Sequence, residues 1–142
     1  MSAVAPNASS KPSVTRRRLF PRRVRLLKHV DFERVYKQGQ RHFAAHITVF
    51  YLARPEGDGL RVGFTVGRVL GGAVDRNRMK RQLREAVRLH FPEKPAPVDV
   101  VINPKKSMLG IEFAMLKKEV SRAFDVIQKF AGKLPPAAGQ AT

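Results

Sequence analysis

The stretch from Asp75 to His90 constrains this chain most, because it must be a helix and that helix must lie on something. Met79, Leu83, Ala86, Val87 and His90 recur at helical spacing and form one apolar stripe, and Pro92, Pro95 and Pro97 stop the segment. The remaining circumference is cationic: Arg76 to Arg88 holds six basic residues and one acid. Arg76, Lys80, Arg84 and Arg88 stack as an i, i+4 row, with Asn77 and Arg81 beside it. Like charges at that spacing disfavour an isolated helix by roughly 0.2–0.5 kcal/mol per pair, so the apolar stripe has to hold it on a sheet. Cations in the N-terminal half also oppose the helix dipole, which already favours anions there. Arriving phosphates would relieve both conflicts.

The flanking sequence supplies the sheet. Asp31 is placed to cap a short helix, Phe32 to Gln38, ended by Gly39, with Phe32, Val35 and Tyr36 on one face. Residues 43–53 alternate as a strand, with Ile47, Val49 and Tyr51 on one side and His46, Thr48, Phe50 and Leu52 on the other. Pro55 to Gly59 reads as a turn into a second strand, Leu60 to Arg68, and the two are expected to pair as a hairpin. Gly71-Gly72 breaks the chain before the basic helix. Val98 to Ile102 is a short buried strand, Asn103-Pro104 a turn, and Ile111 to Phe130 a second amphipathic helix carrying Phe113, Leu116, Val120, Phe124 and Ile127. The order α-β-β-α-β-α predicts an α+β domain, one mixed sheet covered by helices, over residues 25–131. Residues 1–24 read as a disordered basic arm and 132–142 as a flexible tail.

Charge narrows the partners. The chain has 28 Lys and Arg against 11 Asp and Glu, a formal charge of +17 over 142 residues, which points to nucleic acid before an anionic membrane surface. Arg16, Arg17, Arg18, Arg22, Arg23 and Arg25 crowd the arm, and no acid precedes Asp31. An import peptide shares that composition, but Pro6, Pro12 and Pro21 interrupt any amphipathic helix. No apolar run approaches the ~20 residues a membrane span needs, and no cysteine is present for disulfide, thiolate metal site or nucleophile. His42 and His46 would lie roughly 13 Å apart along a strand, and neither a nucleophile motif nor a phosphate-cradling loop occurs. No acidic cluster suggests a protein-bound catalytic metal. Phe32, Tyr36 and Phe50 fit either ordinary core packing or stacking on unpaired bases.

Two motifs then carry a resemblance. The run Val62 to Glu85, with its Arg76-Asn77-Arg78-Met79-Lys80-Arg81-Gln82-Leu83-Arg84-Glu85 core, resembles the signature of the bacterial ribonuclease P protein subunit. Asp31 to Gly39 resembles that family's first helix, and the likeness extends from about Leu26 to Phe130. The resemblance implies an α-β sandwich like a ribosomal-protein domain, with a left-handed βαβ crossover carrying the basic helix. It implies an accessory subunit of an endoribonuclease that removes the 5′ leader of precursor tRNA, the chemistry residing on a catalytic RNA with its Mg²⁺. Arg68, Arg76, Asn77, Arg78, Lys80, Arg81 and Arg84 would then face the RNA subunit, and a cleft with Phe32, Tyr36 and Phe50 would take the single-stranded leader. No cofactor on the protein, no membrane, no obligate protein partner and a cytoplasmic location are expected. Two departures stand out: Gly67-Arg68-Val69 replaces a Ser-Lys-Lys-like run, and Gly72 replaces the commoner Asn. A ribosome-associated or general RNA-binding protein without a cleavage role is the competing expectation.

Overall fold

A computed structural model describes residues 24–55 and 59–132. The arm up to residue 23, the tail from 133 and the middle of the Pro55–Gly59 turn lie outside the described residues. The elements run α1 (His29–Gln38), β1 (Gln40–Phe43), β2 (Ile47–Ala53), β3 (Arg61–Phe64), α2 (Ala73–His90), β4 (Val98–Pro104) and α3 (Phe113–Gly132). Short 3₁₀ turns precede α2 (Arg68–Leu70) and α3 (Lys106–Gly110).

The four strands form one mixed sheet in the order β1-β2-β4-β3. β4 takes the centre because Val98, Val100, Val101 and Ile102 are apolar on both faces, the pattern of a strand covered on both sides. It runs antiparallel to β2 and parallel to β3, so β3-α2-β4 is a crossover with the basic helix as its connection. Ile47, Val49, Tyr51, Val62, Val100 and Ile102 face a core closed by Met79, Leu83 and Val87 of α2 and Leu116, Val120 and Ile127 of α3. The opposite face carries Thr48, Phe50, Leu52, Asp99, Val101, Asn103 and Gly63, and α1 packs on it through Val35, with Leu26 beside it. The outer edge of β3 is partly covered by the chain before α1, where Leu26 N–H donates to the Val62 carbonyl at 3.0 Å.

Several sequence expectations change here. Residues 43–53 are not one strand: Ala44 to His46 form a bend, Phe43 closes β1, and the hairpin is β1–β2 with Phe43 opposite Thr48. The anticipated β2–β3 hairpin does not form, since β4 inserts between them and both partners pair with its apolar run. Asn103 and Pro104 stay inside β4 opposite Thr48 and Ile47 rather than turning the chain. The first helix starts at His29, and Lys28 is its N-cap without a side-chain bond. Asp31 sits in the first turn instead, because its carboxylate is engaged by Arg34 at 2.8 Å and lies 3.8 Å from Arg61. β3 ends at Phe64, short of Arg68, and α3 runs on through Gly132.

Candidate nucleic-acid interface

α1 is ten residues long and covers only one half of its sheet face. What fixes it there is Asp99, 0% exposed near the start of β4. Arg54 of the β2 end donates to Asp99 Oδ1 at 2.8 Å, and Arg61 of β3 holds both carboxylate oxygens at 2.9 and 2.8 Å. Arg34 of α1 reaches Asp99 Oδ2 at 3.3 Å while pairing with Asp31. Burial pushes the Asp99 carboxyl up, but the Arg61 and Arg54 bonds outweigh it and hold the group below its usual range. The hydrogen bonds that Arg61 donates to Asp99 correspondingly raise Arg61. A buried carboxylate is tolerable only with partners of this kind, and here they join α1, β2, β3 and β4.

The other half of the face stays open. Tyr36, on the next turn of α1 from Phe32, places its ring edge-on to Phe50, with centroids 4.9 Å apart at 89°. Its hydroxyl donates to Asn103 Oδ1 at 3.0 Å and shares a 2.6 Å hydrogen bond with Thr65 Oγ1. Those bonds fix the ring against the sheet beside Phe50. Arg41 of β1 lies over the Phe50 ring at 5.8 Å from its centroid, a cation–π distance. Phe43, 66% exposed, points to the same face because it pairs with Thr48, two residues from Phe50. Thus the structure brings Tyr36 and Phe50 together, with Arg41 and Phe43 beside them. Reading residues 43–53 as one strand hid Phe43; the clue was the small Ala44-Ala45 pair, which can bend between two strands.

Phe32 sits apart from that pair. Its ring lies on Gly63, where a Cβ would come within 2.5 Å of the Phe32 ring, so β3 needs glycine at this position. Phe32 lines a cavity of about 430 Å³ at the β3 edge with Arg25, Leu27, Phe64, Lys80 and Arg84. The middle of the basic row on α2 therefore meets an aromatic ring at the partly covered edge of β3. Neither Lys80 nor Arg84 has an acidic partner among the described residues.

The ends of the row behave differently. Arg76 folds back so that Nε donates to the Gly71 carbonyl at 3.2 Å. Arg88 is largely buried and paired with Glu85, the one acid of the segment, three residues before it, which removes it from the free cations. Asn77, Arg78 and Arg81 project into solvent. Arg68 is exposed at the start of the 3₁₀ turn, followed by Val69, also exposed. Gly71 has φ +142°, a conformation only glycine adopts readily, and it brings the chain sharply onto the start of α2. His90, expected in the buried stripe, is half-buried.

Among the described residues no three His, Asp or Glu side chains converge as a metal site. His46 is occupied with Ser107 Oγ at 2.8 Å, and its backbone N–H donates to Glu119 at 3.0 Å. No helix among the described residues is long and apolar enough to cross a membrane.

Comparison with known proteins agrees with this geometry. A ribonuclease P family model matches residues 20–128. The ribonuclease P protein component of Desulfovibrio desulfuricans is 37% identical over 123 residues, covering 84% of this chain and 92% of the relative. That of Symbiobacterium thermophilum is 39% identical over 101 residues, covering 71% and 88%. The Staphylococcus aureus RNase P protein superposes with a TM-score of 0.66 at 26% identity, covering 73% of this chain and 94% of that one. The Thermotoga maritima protein gives 0.63 at 26%, covering 70% and 94%. These matches leave the general RNA-binding alternative without support. The chain therefore belongs to the ribonuclease P protein family, the RNA-binding accessory subunits of a tRNA-processing endoribonuclease.

Proposed function

We propose that the open half of the sheet face receives the single-stranded 5′ leader of precursor tRNA while α2 grips the RNA subunit. The observation that carries this reading is the edge-on Tyr36–Phe50 pair, with Tyr36 exposed and Phe50 half-buried, beside Arg41 and the exposed Phe43. Flat aromatic faces next to a guanidinium suit unpaired bases and their phosphates, whatever the sequence. Phe32, at the β3-edge cavity, would take leader nucleotides that run on past this pair. Arg68, Asn77, Arg78, Lys80, Arg81 and Arg84 provide the phosphate contacts to the RNA subunit, with Arg76 shaping the start of α2. The RNA subunit performs hydrolysis with Mg²⁺ held on its own phosphates, and the protein works in the cytoplasm.

The test mixes the protein with a bacterial ribonuclease P RNA and precursor tRNA at low Mg²⁺. Cleavage is expected to rise well above that of the RNA alone; no stimulation by the folded protein would overturn the reading. The double variant Arg78→Ala/Arg81→Ala should bind the RNA subunit with a flatter salt dependence, because fewer counterions are released. An unchanged slope would remove α2 from the phosphate surface.

A further inference from the structure

A second cationic site lies on the far side of the molecule from the leader cleft. Where the end of α2 meets α3, a groove of about 540 Å³ is lined by His90, Lys117, Lys118, Ser121, Arg122 and Asp125. The five α3 residues span about 140° of that helix, so they form one face of it rather than a scatter of surface charges. Lys118 and Arg122 are exposed, one turn apart, with no acidic partner among the described residues. Lys117 Nζ stands 5.4 Å from the Phe113 ring centroid, which holds that side chain along the helix. Ser121 adds a hydroxyl. His90 Nε2 is buried, and no protein group bonds it. Asp125 is the only acid in the lining, so the balance is three fixed cations against one carboxylate.

A concave surface concentrates the field of its cations more than a convex one does, and neutral donors among them favour an anion with several acceptor oxygens. We infer that this groove binds the phosphodiester backbone of the ribonuclease P RNA, so that the RNA-subunit surface continues from α2 onto α3. The inference rests on the assignment of the helical layer to that RNA. The leader cleft lies on the opposite side of the sheet, so one protein can hold both RNAs at once.

The experiment compares Lys118→Ala/Arg122→Ala with Lys37→Ala/Lys94→Ala, which removes the same charge from exposed positions away from α3 and the groove. Circular dichroism melts first establish that both variants fold like the parent. Binding to the isolated ribonuclease P RNA is then measured across a salt series, with mature tRNA as the second ligand. The groove variant should bind the RNA about tenfold more weakly near physiological salt, with a flatter salt slope, and the control should change less than twofold. Equal losses in both variants, no loss in the groove variant, or a loss confined to mature tRNA would overturn the inference. Stimulation of cleavage by the parent protein at low Mg²⁺ is followed in parallel. If the parent stimulates and the groove variant binds normally, the groove assignment fails while the proposed function stands.

Discussion

The face of the sheet beneath α1 is divided between two regions built from similar residues. On the β3 side, Asp99 gathers Arg34, Arg54 and Arg61, and Phe32 is pressed onto Gly63. On the β1 side, Arg41 lies over Phe50, Tyr36 stands on edge against it, and Phe43 is in solvent. Arginines and aromatics occur in both. What separates them is the single buried carboxylate: with Asp99 present the guanidiniums are consumed in holding α1, and without one beneath Phe50 a guanidinium and three rings remain for a ligand. In the proposed function the covered half contributes by fixing α1, and with it the position of Tyr36.

The largest effect that would break this comparison is expected from Asp99→Asn. The amide leaves three guanidiniums around a neutral group, and breaking a buried pair by removing one partner costs about 3–5 kcal/mol. Denaturant unfolding should register that loss, a large share of the total stability of such a domain. The same residue sets an acid limit. Because the folded Asp99 carboxyl is held low, its contribution is complete above the unfolded carboxylate value of about 3.9 and fades as pH falls through the lower folded one. Near neutrality the contribution of Asp99 to the parent's stability should therefore not vary with pH, and Asp99→Asn should flatten the loss seen below pH ~4.

A smaller effect is expected from Gly63→Ala, where the added methyl meets the Phe32 ring and, at 3.1 Å, Leu26 Cβ. Overpacking of this kind costs about 1–3 kcal/mol, and it should tilt α1 enough to weaken leader binding in parallel with stability. A melting temperature equal to the parent's would show that Phe32 yields freely. The smallest effect is Tyr36→Phe, which removes a hydroxyl bonded to Thr65 and Asn103 at the cleft wall. Both partners remain accessible to water, so the loss should stay near 1 kcal/mol in unfolding measurements.

Much of this architecture was readable from local pattern. The α2 stripe of Met79, Leu83, Ala86 and Val87 is buried as its spacing required, and Ile47, Val49 and Tyr51 face the core together. Strand order was not readable, because Val98 to Ile102 pairs with segments over 30 residues away and nothing local to β2 or β3 announces that β4 divides them. The Asp99 cluster was missed for the same reason: its three arginines come from three separate elements. Of the site, Tyr36 and Phe50 were visible through the family motif and their helical and strand phase. Phe43 and Arg41 were not, since their facing depends on the β1–β2 register, which a bend at Ala44 to His46 creates.

The central claim is that the open half recognises the leader and the covered half does not. Its most direct test is a leader-length titration of precursor tRNA on Phe50→Leu/Tyr36→Leu, assembled with the RNA subunit, with thermal melts alongside. Leucine retains apolar bulk but removes the flat rings. Affinity for precursors with leaders of several nucleotides should fall by about 1–3 kcal/mol, the worth of one base stack, with mature tRNA and RNA-subunit binding nearly unchanged. Equal losses with and without a leader, accompanied by a lowered melting temperature, would mean that the pair is core and the cleft binds nothing.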